Sequence, residues 1–255
     1  MSRILITGSS DGLGLLTAQH LIKQGHQVVL HARNSQRAEE TQARIQGAWA
    51  MVTGDLSNMA QTRGLAEQVN RLGTMDAVIY NAGIYGTPQQ QTTEDGLNSI
   101  FAVNVLAPYI LSVLLNRPQR LIFLSSSMHY GARHDVQDIN WEKRAWNNTA
   151  AYSESKLYDT MLACAIARLW PQVYSNSVDP GWVPTRMGGP SAPDDLQLGC
   201  ETQAWLAVAD EAAAHVSGQY FHHMQPRDPD RAVLDPNNQQ RLLDFCAKVS
   251  GLSAE

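Results

Sequence analysis

The sequence predicts an α/β fold, a doubly wound parallel sheet of about seven strands with helices on both faces. Short apolar runs alternate with longer segments of helical periodicity along nearly all of the 255 residues. Several runs are apolar at consecutive positions, which is typical of strands buried on both faces of a parallel sheet. No repeat, low-complexity tract or linker interrupts the alternation, so residues 1–255 are expected to form a single domain.

The order of the elements follows from the spacing of these runs. The predicted strands are residues 3–7, 27–31, 50–52, 77–80, 120–125, 174–178 and 219–222. The predicted helices are residues 13–24, 36–45, 59–72, 94–115, 150–168, 195–207 and 237–249. The last helix follows Pro236, and proline is common at the first position of a helix.

Composition excludes several classes of protein. The chain is 44% hydrophobic and 17% charged, which excludes a disordered chain. Its 24 acidic residues outnumber 19 Lys and Arg, so we expect no attraction to nucleic acid. Because no apolar run approaches the roughly 18 residues of a membrane span, we expect no membrane partner.

The cysteines indicate the compartment. The chain has three, widely spaced and without a C-x-x-C pair, at Cys164, Cys200 and Cys246. This spacing favours neither a disulfide framework nor a zinc site, and it suits a reducing environment. The first strand begins at Arg3, which leaves no room for a signal peptide. A cytoplasmic protein without a metal site is therefore expected.

A glycine-rich loop joins the first predicted strand to the first helix. Glycine lets the backbone turn sharply and approach a pyrophosphate at the helix N-terminus. A strand–helix turn of this composition can be purely structural, but its place after the first strand favours dinucleotide binding. The predicted contacts are Gly8, Ser9, Ser10, Asp11, Gly12, Leu13 and Gly14.

The end of the second strand favours NADP(H) over NAD(H). An acidic residue there would bind the adenosine ribose hydroxyls of NAD, but the sequence reads His31-Ala32-Arg33-Asn34. The Arg33 guanidinium can bind a 2′-phosphate with two parallel hydrogen bonds, and Asn34 lies beside it. The alternative is that Arg33 is a solvated surface side chain.

Two further segments carry side chains suited to acid–base chemistry. Tyr152 and Lys156 are four residues apart in a predicted helix and so share one face. A neighbouring ammonium favours the phenolate and is expected to bring the pKa of Tyr152 toward neutral pH. The hydroxyl of Ser126 follows the fifth strand and should emerge at the carboxyl edge of the sheet, where ligands bind in open α/β folds.

Six motifs in this order resemble those of the short-chain dehydrogenase/reductase family, across nearly the whole chain. The glycine motif resembles T-G-x-x-x-G-x-G, and Ser126, Tyr152 and Lys156 resemble the catalytic trio. Asn104 resembles the active-site asparagine of the family. Further positions resemble its cofactor contacts, namely Asp55, Leu56, Asn81, Ala82, Gly83, Pro180, Gly181, Val183 and Thr185.

The resemblance implies a Rossmann-type fold and a role for each catalytic residue. Tyr152 would exchange a proton with the carbonyl or alcohol oxygen, and Ser126 would hydrogen-bond that oxygen. Lys156 would bind the nicotinamide ribose and lower the pKa of Tyr152. Asn104 would connect Lys156 to solvent through helix backbone and a water. Tyr152 and Lys156 thus also count among the expected cofactor contacts.

A looser resemblance is to the retinol-dehydrogenase-like branch. It rests on a long segment between Ser126 and Tyr152 and on the sequence Thr93-Glu94-Asp95-Gly96-Leu97. Asp179 departs from that branch, which often has histidine before the Pro-Gly pair. Residues 185–210 are expected to contain a substrate lid, although the Gly- and Pro-rich part of that segment is equally consistent with a plain surface loop.

The sequence thus predicts an NADPH-dependent oxidoreductase that interconverts a carbonyl and an alcohol. The alternative is a non-catalytic NADP(H)-binding regulatory protein, although such relatives usually lack a catalytic residue. Aromatic residues near the expected pocket, Tyr130, Trp141, Trp146 and Trp182, favour an apolar or ring-containing substrate, or else serve in packing. Met161, Leu162, Ile166 and Leu169 could form a homodimer interface or face the core.

Overall fold

The computed structural model describes residues 1–254 and contains one sheet of eight strands in the order β3-β2-β1-β4-β5-β6-β7-β8. The first seven strands are parallel, and β8 pairs antiparallel with β7. The Rossmann-type fold class is confirmed. The strands are β1 (Arg3–Ile6), β2 (Gln27–Ala32), β3 (Ala50–Thr53), β4 (Ala77–Tyr80), β5 (Arg120–Leu124), β6 (Tyr174–Asp179), β7 (Tyr220–His222) and β8 (Gln225–Arg227).

Alternate residues of each central strand point into two separate hydrophobic cores. In β1, Leu5 belongs to one core, whereas Ile4 and Ile6 belong to the other, and all three are fully buried. Side chains of a strand alternate between the faces of a sheet, so helices must cover both faces.

The helices form these two covering layers. They are α1 (Gly12–Lys23), α2 (Ser35–Arg44), α3 (Met59–Arg71), α4 (Ser99–Phe101), α5 (Ala107–Leu114), α6 (Asn148–Leu169), α7 (Leu196–Val208), α8 (Arg231–Leu234) and α9 (Pro236–Ser250). Residues of α1 and α7 join the core around Ile4 and Ile6, and residues of α3, α5, α6 and α9 join the other. Asn and Asp side chains cap α1, α2, α3, α6, α7 and α9, each by accepting a hydrogen bond from a backbone N–H.

The predicted helix over residues 94–115 is wrong at its start. Helical structure begins only at Ser99, because the Asn98 side chain accepts hydrogen bonds from the next turn and caps it. The segment Ala102–Leu106 is a π-helix between α4 and α5. Pro108 lacks the N–H that would bond to the carbonyl of Asn104 four residues earlier, which accounts for the wider turn.

The eighth strand was not predicted. Its sequence is Gln225-Pro226-Arg227, which is exposed and has no apolar pattern. Proline is tolerated there because β8 lies at the edge of the sheet. None of the helices within residues 1–254 is long and apolar enough to cross a membrane.

The apolar residues of α6 that could form a dimer interface face the interior of the chain. Met161, Leu162 and Ile166 are buried in the chain's own core, and Leu169 packs against it. Their burial therefore needs no second copy of the chain, and a homodimer stays a prediction.

The long segment before α6 is anchored by a buried ion cluster. The Arg144 guanidinium lies 2.5 Å from a Glu154 carboxylate oxygen on α6 and 3.0 Å from one of Asp138. It also stacks over the Trp141 ring, 3.6 Å from the centroid. Both carboxylates are almost fully buried, so each needs the Arg144 charge.

We expect R144A to lower the free energy of unfolding by about 3 kcal/mol, because it leaves two buried carboxylates without a cation. Arg133, which pairs with Asp135 on the exposed surface of the same segment, provides the control. R133A should cost less than about 1 kcal/mol. Denaturant unfolding of the two variants and the parent measures both values, and equal losses would contradict the assignment.

Candidate active site

The strand order reverses between β1 and β4, and this reversal opens a crevice at the carboxyl edge of the sheet. The chain leaves β1 toward α1 on one face and leaves β4 toward α4 and α5 on the other. Crevices at such a reversal are where open α/β sheets bind ligands. The loops that border it are residues 8–11 and 81–83.

The glycines of the first loop are required by the backbone. Gly8 has φ +63°, and a Cβ there would lie 2.8 Å from the Cα of Ala82. A Cβ on Gly14 would lie 2.4 Å from the Asn81 amide nitrogen and 2.5 Å from the Gly8 carbonyl oxygen. Any side chain at these two positions would push the loops apart. Glycine therefore leaves only backbone atoms to line the crevice at the start of α1.

The second loop is bonded directly to the first. The Asn81 side-chain amide donates to the carbonyls of Thr7 and Gly8, at 3.0 and 3.1 Å. The Thr7 hydroxyl accepts from the Ala82 N–H at 3.0 Å. Asn81 and Ala82, predicted as cofactor contacts, thus also hold the glycine loop in place.

His31 supports the glycine loop from the other side, and this role was not predicted. The Gly8 N–H donates to His31 Nδ1 at 2.9 Å, so Nε2 carries the proton and donates to the Gly54 carbonyl at 2.9 Å. The side chain is 3% exposed. Burial lowers the pKa of His31, although the bond to Gly54 and the charge of Asp55 partly oppose the shift. The only signal in the sequence was a histidine closing an apolar strand.

Several predicted cofactor residues have structural roles. The Ser9 hydroxyl accepts from the His31 N–H at 2.8 Å and is buried. The Asn34 side chain caps α2, and Leu56 lies in the hydrophobic core. Asp55 accepts hydrogen bonds from the backbone and hydroxyl of Ser57. Ser10 and Leu13 are partly buried at the start of α1.

Several arginines lie at the end of the crevice beside α2. Arg33 follows β2, is exposed, and makes no hydrogen bond or ion pair with any described residue of 1–254. Arg37 and Arg44 of α2 lie 4.0 and 3.7 Å from Asp11, which caps α1. Arg37 also pairs with Glu40 at 2.8 Å, so this end of the crevice has three guanidinium groups against two neighbouring carboxylates.

The loop after β6 closes the opposite end of the crevice. Gly181 has φ +82°, and its N–H donates to the Asp179 carboxylate at 2.9 Å. Val183 is buried, and a Cβ on Gly12 would lie 3.6 Å from Thr185. The segment starting at Pro180 therefore lies alongside the glycine loop, as the predicted cofactor contacts require.

The predicted lid divides into two parts. Residues 185–194 form an irregular loop in which Met187 is 50% exposed. In contrast, α7 is packed into the core through residues that include Cys200, Ala204 and Leu206. Movement of a lid is thus compatible with the loop and not with the helix, and a lid stays a prediction.

Ser126, Tyr152 and Lys156 come from β5 and α6, which pack together. Ser126 follows β5, and its hydroxyl accepts from the Met128 N–H at 3.2 Å. Tyr152 and Lys156 lie in the first half of α6, with Lys156 Nζ 5.6 Å from the Tyr152 ring centroid. Nζ donates to the Leu124 carbonyl, at the end of β5, at 2.6 Å.

Asn104 lies in the π-helical turn and faces the same site. Its amide accepts from the Ile84 N–H at 2.8 Å, and it donates to the Ile84 carbonyl and to the Ser155 hydroxyl. A Cβ on Gly83 would lie 3.5 Å from the Asn104 oxygen and 3.6 Å from Lys156 Nζ. The structure therefore brings Asn104, Gly83 and Lys156 together.

The pKa of Tyr152 does not move toward neutral pH as expected. Burial raises this pKa, Lys156 lowers it, and the charges of Asp159 and Asp179 raise it further, with a contribution from Tyr85. The net direction is upward, because burial of the phenol outweighs the attraction of Lys156, whose charge is itself paired with Asp159 at 2.8 Å.

Aromatic residues are placed unevenly around the site. The Tyr85 ring lies 4.8 Å from the Tyr152 ring, and Trp182 and Tyr130 are 56% and 48% exposed. Trp141 is buried in the ion cluster, where its ring meets that of Trp146 edge to face. Within residues 1–254, no group of three or more His, Cys, Asp or Glu could hold a metal ion.

Comparison with known proteins decides the family. A model described as "short chain dehydrogenase" matches residues 2–129. An uncharacterized oxidoreductase of Emericella nidulans is 42% identical, and the alignment covers 99% of this chain and 98% of that protein. The chain belongs to the short-chain dehydrogenase family. It is therefore an oxidoreductase, and this family binds nicotinamide cofactors.

Two further comparisons support the branch and the fold. Human retinol dehydrogenase 13 is 30% identical, with 98% of this chain and 85% of that protein covered. A crystal structure of an uncharacterized protein from Mycobacterium paratuberculosis superposes with a TM-score of 0.87. It is 24% identical and covers 100% of this chain and 95% of its own, so it shows the shared fold.

We expect H31A to lower the free energy of unfolding and to reduce the further loss of that free energy at acidic pH. The variant loses the acceptor for the buried Gly8 N–H, at a cost of about 1–3 kcal/mol. In the parent, unfolding exposes a histidine that takes up a proton, so stability falls as pH drops below about 6.5, by at most ~1.4 kcal/mol per pH unit. H31A should lack this part of the slope.

Denaturant unfolding between pH 5 and 8 measures both effects. H134A removes a histidine from an exposed loop and should keep the parent slope. If H31A and the parent lost stability equally on acidification, the neutral buried histidine would not be supporting the loop.

Proposed function

We propose that the chain is an NADPH-dependent oxidoreductase that interconverts a carbonyl and a primary or secondary alcohol. Two observations support this proposal: Lys156 bonds to the end of β5, two residues before Ser126, and Gly83 approaches both Asn104 and Lys156. Ser126, Tyr152, Lys156 and Asn104 would then act together at the carboxyl edge of the sheet.

The crevice fits a dinucleotide in its shape and its charge. The bare backbone at Gly8 and the start of α1 leave room for a pyrophosphate, which the helix N-terminus favours. Asn81 and His31 already satisfy the inner side of this loop, so the loop is preorganised. When bound, the nicotinamide supplies or accepts the hydride.

Tyr152 is proposed as the acid in carbonyl reduction and the base in alcohol oxidation. Its raised pKa keeps the phenol protonated, which is the form that donates a proton to the new alkoxide oxygen. The Ser126 hydroxyl would donate a hydrogen bond to the same oxygen as negative charge develops there. Lys156 would hold the nicotinamide ribose, and Asn104 would link Lys156 to solvent.

Arg33 supports the preference for NADPH. Its guanidinium is exposed and has no partner within residues 1–254, so it is available for a 2′-phosphate. Arg37 and Arg44 pair with Asp11 and Glu40, so the three arginines leave this end with a net positive charge that suits the 2′-phosphate of NADPH. The adenosine ribose of NAD(H) carries no 2′-phosphate, so it has no anion for these arginines to bind.

The substrate is proposed to be apolar or ring-containing. Tyr85 stacks beside Tyr152, and Trp182 and Tyr130 expose large aromatic surfaces near the site. One relative is named a retinol dehydrogenase, and retinol is an apolar alcohol with a ring. We propose that the protein acts in the cytoplasm on a small carbonyl compound or alcohol of this type.

Y152F should lower kcat for carbonyl reduction by about 10²–10⁴-fold, because it removes the proton donor. Its affinity for NADPH should stay close to that of the parent. The assay is NADPH oxidation with a panel of aromatic, cyclic and aliphatic ketones and aldehydes.

Y158F is the matched control on the same helix. Tyr158 is buried, and its hydroxyl has no hydrogen-bond partner among the described residues, so Y158F should retain parent activity. An active Y152F would remove Tyr152 from the chemistry. Tight NADPH binding by the parent without turnover of any carbonyl would instead favour a non-catalytic cofactor-binding protein.

R33A should raise the Kd for NADPH by about 10–100-fold, which corresponds to one charge-assisted interaction, and leave the Kd for NADH nearly unchanged. Fluorescence titration of each nucleotide measures this. Arg71, exposed at the far end of α3, is the control, and R71A should bind both nucleotides like the parent. An equal loss of both nucleotides in R33A would make Arg33 structural.

A further inference from the structure

Asp159 lies three residues after Lys156 on the same face of α6. It is 3% exposed, and its Oδ2 accepts a hydrogen bond from Lys156 Nζ at 2.8 Å. Lys156 is 5% exposed, so both charges of this pair are inside the protein. Neither sequence motif nor family match pointed to this carboxylate.

The pair controls where the Lys156 ammonium lies. Two of its three hydrogens are used by Asp159 and by the Leu124 carbonyl. Burial lowers the pKa of Lys156, but the attraction to Asp159 and Tyr152 together outweighs burial and the net shift is upward. Lys156 therefore stays charged, with a counter-charge in direct contact.

Asp159 is poorly suited to a purely stabilising role. Its other oxygen, Oδ1, is buried and has no hydrogen-bond partner among residues 1–254. Burial raises the pKa of Asp159 to about 6, even though Lys156 opposes the shift. A buried carboxylate with one unpaired oxygen costs stability, so its presence beside the predicted catalytic lysine suggests a role in the reaction.

The groups that set the charge around Tyr152 come from three elements. Lys156 and Asp159 face it from α6, Asp179 from the end of β6, and Tyr85 from the segment after β4. Of these, only Lys156 favours the phenolate. Asp159 is in contact with Lys156 and so offsets that effect most directly.

We propose that Asp159 is a positioning residue that compensates the Lys156 charge and thereby extends to higher pH the range in which Tyr152 keeps its proton. This inference rests on the proposed function, in which Tyr152 donates that proton during carbonyl reduction. It adds a residue that sets the pH range of the site. The overall equilibrium of the reaction is unaffected, because Asp159 changes only the protonation of the protein.

The test is a tyrosinate titration that needs no substrate. Ultraviolet absorbance is recorded against pH for the parent, Y152F, D159N and the D159N/Y152F double variant. The titration curve of each protein that carries Y152F is subtracted from the curve of the matching protein that keeps Tyr152. The difference reports Tyr152 alone, without the other seven of the eight tyrosines. We expect Tyr152 to titrate about one pH unit lower in D159N than in the parent, because the Lys156 charge is no longer compensated.

Two further variants separate charge from structure. E154Q removes another buried carboxylate from α6, one that pairs with Arg144, and should leave the titration of Tyr152 unchanged. D159S removes the same charge as D159N with a smaller side chain, and it should shift Tyr152 in the same direction. It also serves as the test protein if D159N does not fold.

The proposal is overturned if Tyr152 in D159N and D159S loses its proton at the same pH as in the parent or at a higher pH. It is likewise overturned if Tyr152 keeps its proton in all three proteins up to the pH at which they unfold. It is also overturned if E154Q produces the same shift. Failure of the proposed function would look different, since the titration could shift as expected while no carbonyl is reduced.

Discussion

The reversal of strand order beside β1 is the constraint on which the site depends. Because the chain leaves β1 and β4 toward opposite faces of the sheet, their loops separate and leave a crevice. The backbone of that crevice is held by Asn81 on one side and His31 on the other. The parallel register then brings the ends of β5 and β6 to the same edge, and Lys156 of α6 lies next to Gly83 in the loop after β4.

Charge is distributed along this edge according to burial. At the end beside α2, Arg33 is exposed and has no ion-pair partner within residues 1–254. At the chemical end, Lys156 and Asp159 are buried and compensate each other. An uncompensated ammonium inside the protein would be costly, so Lys156 needs the counter-charge of Asp159. The state of Tyr152 therefore reflects a balance between burial and a paired charge.

The sequence was informative where function requires a fixed residue type at a fixed spacing. The glycine loop, Arg33 and the Tyr152–Lys156 pair could be placed because each follows a strand or shares a helix face. The late start of α4 and the π-helical turn could not, since they depend on the Asn98 cap and on Pro108. The roles of His31 and Asp159 also required the structure, because they arise from contacts with Gly8 and Lys156 made during folding.

A crystal structure of the protein with NADP⁺ would test the central claim most directly. The account predicts that the 2′-phosphate lies within hydrogen-bond distance of Arg33, the pyrophosphate against the backbone at Gly8, and the nicotinamide ribose beside Lys156 and Tyr152. A nucleotide bound outside this crevice, or bound in it with the 2′-phosphate away from Arg33, would contradict the account.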